Sequence, residues 1–328
     1  MLSIFRTNQQ LTGIFLIFYI LLLRLSVFIV PGSVPENVHA GVLAEHLYHF
    51  FKPDSPGAHI FAFLLLLVQA MLLNALVIRH RLGHAPNLFP GVFYIMFCSA
   101  FPDFHTLSPV LLGNTFLIFA LGELFKTYKN PQCADHIFNV GFWTGVASLF
   151  YFPFIFFVIG GLIGLGILRA FSIREQLILL FGAITPYFLA ATYFFWHDQL
   201  GSFWQKQVSD NLRLFDFRFD FAQSEQLIKT GLLVLALLVM FLSMGAYKAK
   251  KVIQIQKKID ILLVSLFIGL LTFLFQAEVT MEHFLILAVP AGVLLAFNFS
   301  DMTKQWAESV HLILLLILLA IQYKPLLA

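Results

Sequence analysis

Acidic, imidazole and guanidinium groups in this chain fall at a few marked positions. Glu36 follows Pro35 directly after the first apolar run. A carboxylate there either caps a helix start through its dipole or serves as a general base held against the outer leaflet. A little further on, the segment PENVHAGVLAEHLYHFFK has helical periodicity. Projected as a helix, Leu43, Leu47, Phe50 and Phe51 share one face, with His39, His46 and His49 along its flank and Glu45 beyond. This set reads either as the polar rim of an interfacial helix or as ligands for a divalent metal, although its spacing matches no zinc signature. Arg24 lies inside an apolar run. It either snorkels to the headgroups or has a functional partner within the membrane.

The second polar stretch, HDQLGSFWQKQVSDNLRLFDFRFDFAQSEQ, interleaves Lys206, Arg213 and Arg218 with Trp204, Phe215, Phe217, Phe219 and Phe221. Such a run is an interfacial anchor or an edge that binds an acceptor or partner. Acids are at least as many as bases there, so no nucleic-acid role follows. Cofactor and nucleotide fingerprints (GxxxxGK[ST], HExxH, GxSxG) do not occur.

The elements that must position these groups follow from composition. The chain has 328 residues, 60% hydrophobic and 11% charged, far from the quarter or so charged in a water-soluble domain. Apolar runs of that length become helices, because backbone groups in hydrocarbon must pair internally. The expectation is an all-α polytopic transmembrane bundle forming one domain over 1–328. Eleven spans are predicted at roughly 11–30, 58–78, 86–101, 108–125, 135–151, 153–168, 175–196, 229–247, 261–276, 283–299 and 307–323. Prolines 86, 90, 102 and 109 allow a broken or re-entrant pair over 86–125. The run from Leu11 to Val30 is too long for a signal core and reads as a first span.

Basic residues fix the sides. With the N-terminus inside, thirteen of the twenty Lys and Arg fall on inner loops, among them the loop 248–260, which would contact anionic lipid. Eleven of the seventeen acids fall outside, around the long loops 31–57 and 197–226. The expected topology is N-in and C-out. On it Cys98 and Cys133 lie on opposite sides and should not pair. Gly141-x-x-x-Gly145 and Gly160-x-x-x-Gly164 promise close helix contacts. A proton-coupled transporter would need deep ionisable groups, for which His311 and Glu123 are the candidates, so transport ranks below the readings that follow.

A first span, a long outer loop with an early acid and a juxtamembrane helix resemble the GT-C superfamily of membrane glycosyltransferases. The stretch from Phe138 to Phe195, a Gly-rich span, a short turn and an aromatic-proline span, is similar to that superfamily's paired helices. More closely, the whole chain resembles an uncharacterised multi-pass inner-membrane family of Bacteroidota, through segments such as FSIREQLI and TPYFL. The GT-C resemblance implies a glycosyltransferase using a polyprenyl-phosphate-linked donor at the outer face of a bacterial inner membrane. It places Glu36 as catalytic base and Asp103, in FPDFHTLSP, as a second acid that positions acceptor or metal. A phosphate donor then asks for outer cations, and Arg24, Lys206, Arg213 and Arg218 are the residues to hold phosphate or lipid. The chain departs from the superfamily in lacking an adjacent acidic pair in the first loop and a large periplasmic C-terminal domain. A non-catalytic subunit that reuses the fold to bind lipid or an envelope partner is therefore the competing expectation.

Overall fold

The computed structural model describes residues 2–6, 10–29, 40–53, 55–83, 85–211, 224–275 and 280–327, and all regular structure among them is helical, with no strand. Thirteen α-helices follow in order: α1 Gln10–Ile29, α2 Val42–Phe50, α3 Pro56–Arg79, α4 Phe89–Cys98, α5 Pro109–Lys126, α6 Ala134–Phe150, α7 Phe157–Leu168, α8 Ile173–Trp196, α9 Leu200–Trp204, α10 Ser224–Ala249, α11 Ile253–Leu271, α12 Ala288–Asp301 and α13 Lys304–Leu327. Single 3₁₀ turns at Phe152–Phe156 and Met281–Leu287 lead into α7 and α12.

Each predicted span overlaps one of these helices, and α2 occupies part of the predicted interfacial segment. Six are long and apolar enough to cross a membrane: Pro56–Arg79, Pro109–Lys126, Ile173–Trp196, Leu227–Ala249, Met281–Asp301 and Lys304–Tyr323. The rest are shorter or more polar. The ten residues of α4 reach only about 15 Å, half of a hydrocarbon core of about 30 Å.

Local chemistry sets several starts. Ser55 and Ser108 each accept a bond from the backbone N–H three residues on, and Pro56 and Pro109 follow at the first helical position. There a missing N–H costs nothing, and the fixed φ suits the helix. Pro102 and Pro153 begin 3₁₀ turns instead.

Apolar surface is distributed as lipid demands. Every residue of α4 and nearly all of α12 are buried. By contrast α8 exposes Phe181, Phe188 and Phe195, α10 exposes Leu235, Phe241 and Leu242, and α1 exposes Phe15 and Phe18. Water would not tolerate apolar faces on this scale, whereas hydrocarbon does.

Gly141 and Gly145 bring α6 against α8, not against the neighbouring α7. A Cβ on Gly141 would collide with the Leu179 carbonyl, one on Gly145 with the Ala183 carbonyl, and one on Gly182 with the Phe138 carbonyl. The two backbones therefore touch. Gly164 instead receives side chains of Leu124 and Ile261.

Connections gather into two groups. In one, Leu88 N–H donates to the Phe5 carbonyl (2.9 Å), Tyr247 to Leu82 (3.1 Å), Arg169 to Thr127 (2.9 Å) and Lys250 to Asp301 (2.7 Å). In the other, Gly41 donates to the Phe150 carbonyl (2.8 Å), Tyr48 to Leu107 (2.9 Å) and Gln207 to Ser148 (2.8 Å). The first group holds the loops rich in Lys and Arg, and the second holds those rich in acids. Cys133 lies with the first and Cys98 with the second, and both are free, buried thiols.

Candidate functional site

The acid-rich end is built around the break between α4 and α5. When α4 stops at Cys98 its last carbonyls lose their helical partners, and Pro102 prevents the helix from resuming. Arg24 of α1, 3% exposed, supplies the missing donors. Its guanidinium donates to the carbonyls of Cys98 (2.9 Å), Phe104 (3.0 Å) and His105 (3.4 Å) and to Ser99 Oγ (3.2 Å). Gln322 of α13 donates its amide to the Ser99 carbonyl. No carboxylate pairs with Arg24 among the described residues. Its charge is dispersed over carbonyl dipoles, and the planar fork suits that geometry better than an ammonium would.

The broken segment so fixed carries Asp103, His105 and Thr106. Asp103 accepts from Lys229 of α10 at 2.7 Å, a pair in which the lysine is the more covered partner. Thr106 Oγ1 donates to Glu282 Oε1 at 2.8 Å. Glu282, 2% exposed, begins the 3₁₀ turn before α12, and its Oε2 has no hydrogen-bond partner among the described residues. Both ring nitrogens of the buried His105 are likewise unpartnered there.

Asp103, Tyr48 and Tyr151 all lie within electrostatic reach of Glu282. Burial, and after it the Glu282 charge, pushes the Tyr48 phenol above its ordinary value, so it stays a hydrogen-bond donor. Next to Glu282, His283 joins a defined chain. Thr272 Oγ1 donates to the Gly269 carbonyl (2.6 Å) and so accepts from His283 Nε2 (2.9 Å). That leaves Nδ1 to accept from the Tyr151 hydroxyl (2.6 Å), which fixes the imidazole tautomer. The arrangement offers a buried carboxyl group with one unpartnered oxygen, within electrostatic reach of a carboxylate that is itself paired with an ammonium, and of two tyrosine hydroxyls.

Of the residues singled out from the sequence, Glu36, His39, Arg213 and Arg218 lie outside the described residues, as does the run 214–221. Asp103 is at the site, and Arg24 reaches the same broken segment with its donors spent on it. Lys206 pairs with Glu45 at 2.9 Å, both half exposed. His46 and His49 are exposed, their rings perpendicular with centroids 6.3 Å apart. No three His, Cys, Asp or Glu side chains cluster to hold a metal among the described residues.

The two deep ionisable groups expected from the sequence prove to be more than two. Glu123 sits at the basic end between Lys126 and His136, each at 2.6 Å, and His311 accepts or donates at 3.0 Å with Tyr19. Glu282 and His283 are buried as well, although the predicted topology places Glu282 among the outer acids. The available signal is the pair Glu-His at the mouth of the apolar run 281–301, just where the predicted span 283–299 begins.

Residues 22–326 match a family described as "Family of unknown function (DUF6427)", and the chain belongs to that family. No curated protein and no solved structure matches it.

Proposed function

We propose that this DUF6427 member is a membrane-embedded group-transfer enzyme of GT-C type. It would move a sugar or comparable group from a polyprenyl-phosphate carrier to an acceptor at its acid-rich end. One observation carries the reading: Glu282 is almost fully buried, yet one of its oxygens is unpartnered beside Asp103. A bundle that needed only packing would gain by replacing such a group, so an orphaned carboxyl oxygen points to chemistry. Glu282 Oε2 takes the acceptor's hydroxyl proton as the acceptor oxygen bonds to the donor's anomeric carbon. The bond from that carbon to the phosphate oxygen breaks, and the electron pair leaves with the polyprenyl phosphate. Lys229 meets the phosphate charge, while Asp103 orients acceptor and lysine. Arg24 acts one step back by holding the segment that carries Asp103. Glu36 is the alternative base.

The segregation of connections and the charge bias support eleven traverses, with the basic end in the cytoplasm and the acid-rich end at the outer face of a bacterial inner membrane. The shortness of α4 fits this reading, because its break is enclosed by protein and its carbonyls are capped.

The test is turnover of a labelled polyprenyl-phosphate hexose in proteoliposomes. Glu282→Gln should reduce release of polyprenyl phosphate by about a hundredfold or more with thermal stability kept, and Glu36→Gln tests the alternative base. Turnover unchanged in both variants, or none in the wild-type protein, would sink the enzymatic reading.

A second reading, a non-catalytic subunit binding lipid or an envelope protein, is favoured by the internal commitment of Arg24 and Asp103. It predicts a stoichiometric partner that co-purifies and is lost when Leu214–Phe221 is made polar.

A further inference from the structure

The basic end holds an arrangement that group transfer does not use. Lys258, in the early turns of α11, is 2% exposed. Its ammonium lies over the Phe125 ring, 5.6 Å from the centroid, and 3.2 Å from His80 Nδ1. Among the described residues no carboxylate pairs with it. Four other cations at this end have carboxylate partners: Lys248 with Asp260, Lys250 with Asp301, Arg169 with Glu175 and Lys126 with Glu123. A covered ammonium without a counter-charge is costly.

An ammonium donating to Nδ1 leaves the neutral imidazole's proton on Nε2. His80 is only partly covered, so that N–H can meet a ligand from outside. Arg79, exposed at the end of α3, and Lys126, at the end of α5, lie within electrostatic reach of the same ring. Lys129 and Lys257 flank the Tyr128 ring at 5.6 and 5.9 Å. The carbonyl ends of α3 and α5 account for nearby surface cations, but not for a covered ammonium aimed at an imidazole.

We propose that His80, with Lys258 behind it and Arg79 and Lys126 beside it, binds a phosphate group, supplied by the headgroup of an anionic phospholipid at the basic end. The imidazole N–H and the guanidinium fork donate to phosphate oxygens, and the lysines supply charge. Lys258 is a positioning residue that sets the tautomer and aim of His80. Val252 and Ile253, 66% and 70% exposed just ahead of it, give acyl chains an apolar surface beside the charges.

Full-length protein in detergent, stripped of lipid, is titrated with short-chain phosphatidylglycerol, with phosphatidylcholine and with inorganic phosphate while its unfolding temperature is followed. Phosphatidylglycerol should raise that temperature and phosphatidylcholine should not. Arg79→Gln and His80→Phe should each weaken the phosphatidylglycerol effect roughly tenfold in concentration, as expected for one charge-assisted bond. Lys258→Met should weaken it too, while leaving the lipid-free unfolding temperature unchanged or higher, a combination that mere packing damage would not give. Should that variant fail to fold, the exposed Arg79 and the half-buried His80 still decide the matter. An equal shift from inorganic phosphate overturns the lipid source. Equal responses to both lipids, or wild-type responses in Arg79→Gln and His80→Phe, overturn the site.

Discussion

Arg24 illustrates how a residue's type can be read correctly while its task stays hidden. An arginine in an apolar run demands partners, and the sequence offered phosphate because the needed acceptors, the carbonyls of residues 98, 104 and 105, exist only once α4 breaks. Arg24→Lys should therefore cost about 2–3 kcal/mol of stability, since an ammonium cannot serve four acceptors spread around a plane. Denaturant unfolding of the two proteins in detergent would check this, and equal midpoints would mean the fork is dispensable. Asp103, in the proline-bounded turn FPDFHTLSP, was singled out through the GT-C resemblance. Glu282 was not, because its significance rests on burial by residues far away in sequence. His80 gives a prediction of another kind. Burial, and after it the charges of Lys258, Arg79 and Lys126, pulls its imidazole down to about 4. The unfolded ring titrates near 6.5, so between those values the unfolded chain binds a proton that the folded one refuses. Stability should be fully present above about pH 6.5 and fall as pH drops towards 4. His80→Gln should flatten that slope in melting curves taken across the interval, and a slope of opposite sign would reject the assignment.

At the scale of elements, hydropathy located a helix in every predicted span because a bilayer admits few alternatives. Lengths were harder to read. A 3.6-residue period does not reveal where a helix may stop inside a protein, since stopping is permitted only where other elements supply the lost hydrogen bonds. That is why 86–101 shrinks to the ten residues of α4, with its end capped from α1 and α13. The Gly-x-x-x-Gly signal was also half of an answer. It announced a close contact without naming the partner, and the partner is α8, two helices on. Gly141→Val would drive a branched side chain into the Leu179 carbonyl and should cost about 1–3 kcal/mol. Gly166→Val, at a position with nothing within 4 Å, should be close to neutral, and similar losses for both in thermal unfolding would mean that α6 and α8 are not in backbone contact.

For the whole molecule, the prediction concerns sidedness. The proposed topology expects cysteines introduced at Lys129 and Lys250 to react with a membrane-impermeant maleimide only after the membrane is opened, and one introduced at His46 to react in intact spheroplasts. The reverse pattern would invert the topology. The closure of the bundle has a further bearing on biosynthesis. Tyr19 of α1 meets His311 of α13 across 292 residues of sequence, and Gln322 reaches back to Ser99. The contacts that close α1 and the α4 break therefore cannot form until α13 has been synthesised, and the carbonyl of Ser99 lacks its Gln322 donor until then.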